Sequence, residues 1–303
     1  MVTTLVSRSY TDLDIVDEER RFVAESPLWD YRANRLYWVD VARPAILWRD
    51  MNTGNRHTWS YDEEVGSIAL CEAGGLVAGM RSGIYRVDTE TGMRTPLAKP
   101  ESDRPLNRFN DGAVDPTGRY WIGSLQTDSL APRGRLWRIE ADACGSAMLD
   151  GLTCPNGLCW SPDGQRMYFT DSSTQRIDVF DYDVCDGVAY NRRLFAELPD
   201  GRGVGDGATV DGDGYLWSAS CGGWCITRYD PRGRVDRIVG LPVRLPTSCC
   251  FGGQKLDTLY ITSSTRMGDV ELAQQPMAGR LIAAYVGVKG VCERTFVLNT
   301  QSI

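Results

Sequence analysis

Glu25, Ser67, Asn110, Asn156, Asp206 and Ser248 each stand five residues ahead of a turn position (Asp30, Glu72, Asp115, Ser161, Asp211 and Gly253). If the runs they introduce are equivalent strands of one repeat, their side chains ring a common axis. The set holds two carboxylates among amides and hydroxyls, with no lysine, arginine or apolar residue. Two close carboxylates repel unless one is protonated or a cation bridges them. All-oxygen donors with two carboxylates suit a hard divalent ion such as calcium, magnesium or manganese. An Asx side chain at a strand entry can also simply cap a turn. That accounts for Asn156-Gly157 or Asp206-Gly207 taken singly, but not for Glu25, since glutamate is not a turn former.

Other chemistry has less to stand on. The chain has one histidine, His57, in the exposed-looking run Asn55-Arg56-His57-Thr58-Trp59. Serine and cysteine nucleophiles paired with an imidazole base would depend on it alone, so hydrolytic chemistry here falls to carboxylates and a metal. Arg108 lies two residues before the ring position Asn110, where its planar fork could reach an anion or polyol, or simply face solvent. The ten cysteines form no zinc-ribbon spacing. Cys159 and Cys250 fall inside apolar strands and read as free, buried thiols.

The elements that must position these residues form a repeat. One unit is Asn156-Gly157-Leu158-Cys159-Trp160, a Ser161-Pro162-Asp163-Gly164 turn, then Met167-Tyr168-Phe169-Thr170-Asp171. Pro162 presets the first turn position and Gly164 tolerates positive φ. Similar units start at 25, 67, 110, 156, 206 and 248, spaced 42 to 50 residues apart, and each continues into further short strands without helical periodicity. That period with four strands per unit predicts an all-β, six-bladed β-propeller, 1–303 forming a single domain. Either the segment 3–22 or the one around Arg294–Leu298 can supply the strand that closes the last blade.

Composition narrows the partners. With 303 residues, 42% hydrophobic and 24% charged, the chain is ordinary for a globular protein. A formal charge of -7 and a pI near 4.9 argue against nucleic acid and membrane surfaces, which call for basic patches. No apolar run is long enough to span a bilayer. The first residues lack the order of a signal peptide. A cytoplasmic protein acting on a small molecule is the expectation.

Glu25-Ser26-Pro27-Leu28-Trp29, Arg108-Phe109-Asn110-Asp111-Gly112, Pro155-Asn156-Gly157-Leu158 and Asp206-Gly207 resemble, in order and spacing, the senescence-marker-protein/gluconolactonase (regucalcin-like) family of sugar lactonases. The stretch from Ser263 to Arg280 is similar to bacterial aldonolactonases of sugar oxidation. The resemblance implies one divalent metal ion (Ca, Zn, Mn, Mg or Fe) held by Glu25, Asn156 and Asp206. It implies that Arg108 and Asn110 contact a sugar lactone, with Asp128 as a further substrate contact. Hydrolysis would then use the metal to polarise the ring carbonyl, with Asp206, directly or through a water it orients, as base. Two rivals share the propeller: a calcium-dependent phosphotriesterase or arylesterase, and a non-enzymatic binding module. Ser67 and Ser248 leave the ring short of carboxylates, which favours the single-metal sugar enzyme. The segments 126–133, 198–204 and 264–279 are the expected specificity loops.

Overall fold

The computed structural model describes residues 13–128, 131–198, 201 and 203–299. Its strands form six four-stranded antiparallel sheets. Blade 1 runs Ala24–Asp30, Arg35–Asp40, Ala45–Asp50 and Arg56–Ser60 from the axis outward. The inner strands of the next blades are Val65–Leu70, Asn107–Val114, Pro155–Trp160, Val204–Val210 and Pro246–Gly252. Each inner strand adjoins the next, and the sixth adjoins the first, so the sheets close into a propeller.

Alternation explains why the middle strands are apolar on both faces. In Arg35–Asp40, Tyr37 and Val39 pack toward blade 2, while Leu36 and Trp38 pack toward blade 6. Six hydrophobic clusters fill the six gaps between blades. A strand buried between two neighbouring sheets reads as a continuous apolar run, with period two deciding which neighbour each side chain meets. Between blades 3 and 4, Trp121, Trp160 and Tyr182 meet edge to face at 5.6–6.0 Å, the geometry the ring quadrupole prefers.

The chain closes through its N-terminal segment. Leu13–Asp17 pairs with Leu281–Tyr285 as the outer strand of blade 6, next to Thr258–Ser263 and the inner strand. The competing segment takes a different path. Residues 289–299 cross the base of the channel: Gly212 N donates to Lys289 O at 2.8 Å, Phe296 N to Leu70 O at 2.7 Å and Val297 N to Gly118 O at 2.9 Å. Phe296 is fully buried between blades 2 and 3. The tail thus joins blade 5 to blades 2 and 3 and floors the channel, with Glu293 and Arg294 lining a cavity of about 100 Å³ below Asp111.

Every inner strand carries a register shift near its start: Glu25/Leu28, Val65/Ser67, Phe109/Gly112, Asn156/Cys159, Gly205/Ala208 and Pro246/Ser248. A bulge adds a residue, bends the strand and re-aims side chains. At the other end of the strand the turn positions do structural work. The carboxylates of Asp30, Asp115 and Asp211 accept from the backbone N–H two residues on, at 3.0, 2.8 and 3.0 Å.

Candidate metal and substrate site

Strand polarity puts the bulges on one face of the ring. Each inner strand starts there and runs toward the floored base, so the loops after second strands and before inner strands share the bulge face. The segments 126–133, 198–204 and 264–279 all fall on it, although 129–130, 199–200 and 202 lie outside the described residues. The short helix Asp269–Ala273 belongs to the last segment, and Arg244 pairs with its Glu271 at 2.7 Å.

Four of the six ring positions converge at this mouth and two turn aside. Ser67 is fully buried; its Oγ donates to Gly112 O at 3.1 Å and accepts from Tyr120 OH at 3.1 Å. Ser248 is buried against Gly207, where a Cβ would come within 2.1 Å of the serine Oγ. Glu25, Asn110, Asn156 and Asp206 stay together. The residues after Glu25 and Asn156, Ser26 and Gly157, hold positive φ (48° and 60°). That backbone is uncommon outside glycine and marks the bulge as a constrained site. At Gly157 a Cβ would also meet Asp206 O at 2.9 Å, so glycine allows blades 4 and 5 their close approach.

One hydrogen-bonded chain links the amides. Arg108 Nη1 donates to Asn110 Oδ1 at 2.9 Å and to Phe109 O at 2.8 Å. Asn110 Nδ2 donates to Asn156 Oδ1 at 2.9 Å and to Pro155 O at 3.0 Å. Asn156 Nδ2 donates to Ser172 Oγ at 2.9 Å, and Ser172 Oγ donates to Gly205 O at 2.6 Å. Both amide hydrogens of Asn110 are committed, so its role in this arrangement is to steady Asn156 and Arg108. The guanidinium makes its hydrogen bonds through Nη1; among the described residues Nε and Nη2 have none.

The carboxylates carry the electrostatics. Burial, then the charge of neighbouring Asp111, pushes Asp206 up to about 8. Burial, then Asp206 and Asp111, holds Glu25 well above the usual carboxylate range. Burial alone moves Asp111 up to about 6, against hydrogen bonds from Gly112 N (2.9 Å) and Leu158 N (3.4 Å). Arg108 is the cation whose charge opposes these shifts at Glu25 and Asp206. Among the described residues no three carboxylate, thiol or imidazole groups form a ready-made metal cage. A bound ion would therefore need the amide oxygen of Asn156 beside Glu25 and Asp206, and half-buried carboxylates without a salt bridge, set next to an aligned amide oxygen, fit a hard divalent cation.

Sequence reasoning missed Asp111, Ser172 and Cys221, whose thiol hydrogen-bonds Asp206. Asp111 was visible as the second member of Asn110-Asp111-Gly112, but a strict period would have turned it away from the axis; the bulge brings it back. Asp128 stands apart. It is exposed, its carboxylate accepting from Gln126 Nε2, and it makes no contact with Arg108 or Asn110. His57 lies on the outer strand of blade 1 against Trp48 and Trp59, remote from the mouth.

A pH signature follows. Between about pH 5 and 8 the folded, metal-free protein holds protons on these raised carboxylates that the unfolded chain has released. Its stability should therefore fall as pH rises through that window. A divalent ion competes with those protons, so the thermal shift produced by saturating metal should be larger at pH 8 than at pH 6. Thermal unfolding at both values, with and without chelator, checks this; an equal shift at both would contradict the carboxylate assignment.

The fold and the site together define a six-bladed propeller with carboxylates, steadied amides and an arginine gathered at its mouth. Residues 23–265 match the SMP-30/gluconolactonase/LRE-like region, and the chain belongs to that family. It is 33% identical over 293 residues to regucalcin of Xenopus laevis, covering 94% of this chain and 98% of the relative. It is 36% identical over 286 residues to a 6-deoxy-6-sulfogluconolactonase of Pseudomonas putida, covering 94% and 98%. The fold superimposes on a calcium-binding regucalcin of Agrobacterium tumefaciens with TM-score 0.89 and 25% identity, covering 93% of this chain and 96% of the other. A gluconolactonase of Xanthomonas campestris shares the fold with TM-score 0.75, 24% identity, and coverage of 93% and 92%.

Proposed function

We propose that this protein is a divalent-metal-dependent hydrolase that opens a sugar lactone, of the aldono or aldaro type, to the open-chain sugar acid in carbohydrate oxidation. The observation that carries the reading is the pair Glu25 and Asp206, half-buried without a salt bridge among the described residues, beside the aligned oxygen of Asn156 and the free edge of Arg108. The names of the sulfogluconolactonase and gluconolactonase relatives support the substrate class.

Glu25, Asn156 and Asp206 would hold the ion, whether calcium, magnesium, manganese, zinc or iron. Bound there, it supplies Lewis-acid polarisation of the lactone carbonyl and stabilises developing negative charge. The rest falls to the chain. Asp206, as carboxylate, takes a proton from the attacking water. Arg108 turns its free Nε and Nη2 edge toward the sugar hydroxyls and fixes the ring. Asn110 keeps Arg108 and Asn156 in register and contacts the sugar through its remaining oxygen lone pair. Asp128, within the mouth-face segment 126–133, would serve as a further substrate contact. The whole chain, 1–303, acts as one domain, and its ten free thiols, three of them exposed, fit a reducing cytoplasmic setting. No helix among the described residues is long and apolar enough to cross a membrane.

A pH-indicator screen of sugar lactones, with and without chelator, tests the proposal. Metal-dependent acid release from at least one lactone is expected; none across aldono- and aldarolactones with every metal named would overturn it. Arg108→Ala should raise KM and lower kcat/KM by roughly 10- to 100-fold, the value of one or two hydrogen bonds to a charged donor. Arg108→Lys should not restore it, because an ammonium lacks the fork.

A further inference from the structure

Ser172 opens a short 3-10 turn, Ser172–Thr174, directly after the second strand of blade 4. The turn is rigidly seated. Asp171 caps it by accepting from Ser173 N at 3.2 Å and accepts from Thr153 N and Cys154 N at 2.8 and 3.0 Å. Ser172 N donates to Cys154 O at 2.9 Å. The hydroxyl is buried, 7% exposed at the residue level, between Asn156 and the backbone just ahead of Asp206.

The protons around it can be assigned by counting donors. Gly205 O can only accept, so the single hydroxyl hydrogen of Ser172 goes there. The hydroxyl oxygen must then accept from Asn156, which places that amide's NH2 group at Ser172. On the opposite side Pro155 O can only accept, so Asn110 presents its own NH2 group to Pro155 O and to Asn156. Both ends demand the same orientation: Asn156 Oδ1 turns away from Ser172 and accepts from Asn110, which leaves its second lone pair for an ion. An Asn amide offers a metal one donor atom, and a flip would present hydrogens instead.

Building on the metal-site reading above, we infer that Ser172 is a positioning residue. It locks the Asn156 amide with its oxygen toward the ion and ties that ligand to the backbone of Asp206, so that the two donors are set together. Partners of this kind, outside the ligands themselves, carry about 10- to 100-fold in metal affinity.

The test is Mn²⁺ binding to the full-length protein, read by calorimetry and by loss of the free-ion EPR signal. Ser172→Ala should weaken binding at least about tenfold, with metal-free thermal unfolding lowered by no more than a few degrees for the lost hydrogen bonds. The decisive comparison is in an Asn156→Asp background. A carboxylate has two equivalent oxygens and nothing to flip, so there Ser172→Ala should cost less than about threefold. Should the alanine variant not fold, Ser172→Cys keeps the volume with weaker hydrogen bonds, and at least about fivefold weakening is expected. Wild-type affinity in Ser172→Ala while Asn156→Ala loses binding would overturn the positioning role and leave the metal site standing. Equal losses in both backgrounds would reduce Ser172 to a merely structural part. Wild-type affinity in both Asn156→Ala and Asp206→Ala would instead remove the metal site itself.

Discussion

Asp206→Ala is expected to lower kcat/KM for lactone opening by at least about 10³-fold, because one side chain serves as metal ligand and as base. It should also weaken divalent-metal binding without destabilising the fold. The folded protein holds this carboxyl at about 8 through burial and the Asp111 charge, so at neutral pH removing it relieves a cost. Metal-free Asp206→Ala should therefore unfold at the wild-type temperature or above it. Steady-state kinetics with saturating metal and thermal unfolding in chelator measure the two halves. Near-wild-type turnover would refute the base assignment, and a large drop in stability would show that the carboxylate is structural.

Five residues on, just past the end of the same strand, lies an aspartate with the opposite expectation. Asp211 is fully buried and accepts from Trp217 Nε1 at 2.8 Å and from Arg228 Nε and Nη2 at 2.8 and 2.7 Å. It also accepts from the turn amides of Asp213 and Tyr215, both at 3.0 Å. Arg228 is itself buried, stacked 3.8 Å over the Tyr215 ring, with Asp236 at 2.8 Å and Asp213 at 3.6 Å as further acids. Asp211→Ala takes the acceptor from Nε and Nη2 of a buried guanidinium, from an indole N–H and from two turn amides. Breaking such a pair from one side costs about 3–5 kcal/mol, roughly 5–8 °C in a chain of this length. Activity per folded molecule at 25 °C should stay close to wild type, since Asp211 lies at the floored end of the channel. Denaturant unfolding together with kinetics separates the two aspartates; a stability loss under about 1 kcal/mol would contradict the buried network.

Both residues were legible as repeat positions. The start and the turn of each inner strand recur with a fixed offset of five, and that offset sufficed for six blades, for the axis and for the register of Glu25, Asn110, Asn156 and Asp206. Repetition made this possible: equal positions in equal units must occupy equal places, so a weak local signal is read six times. The same logic overreached at Ser67 and Ser248, which share the register yet turn to Gly112 and Gly207. Blade closure stayed ambiguous as well, because Leu13–Asp17 and the tail both look like edge strands. The tail's destination depends on where Phe296 finds a pocket, between blades 2 and 3.

What the sequence determined by itself is therefore the architecture and the oxygen-rich character of the axis, since both follow from period and residue type. The tertiary structure decided which oxygens face the mouth. Local twist at the bulges swings Asp111 inward and gives Ser26 and Gly157 their positive φ, while an exposed loop leaves Asp128 aside. The Ser172 lock on Asn156 joins residues from three strands through a proton count. No period encodes such a contact, because it depends on the directions of hydrogen bonds in an assembled ring.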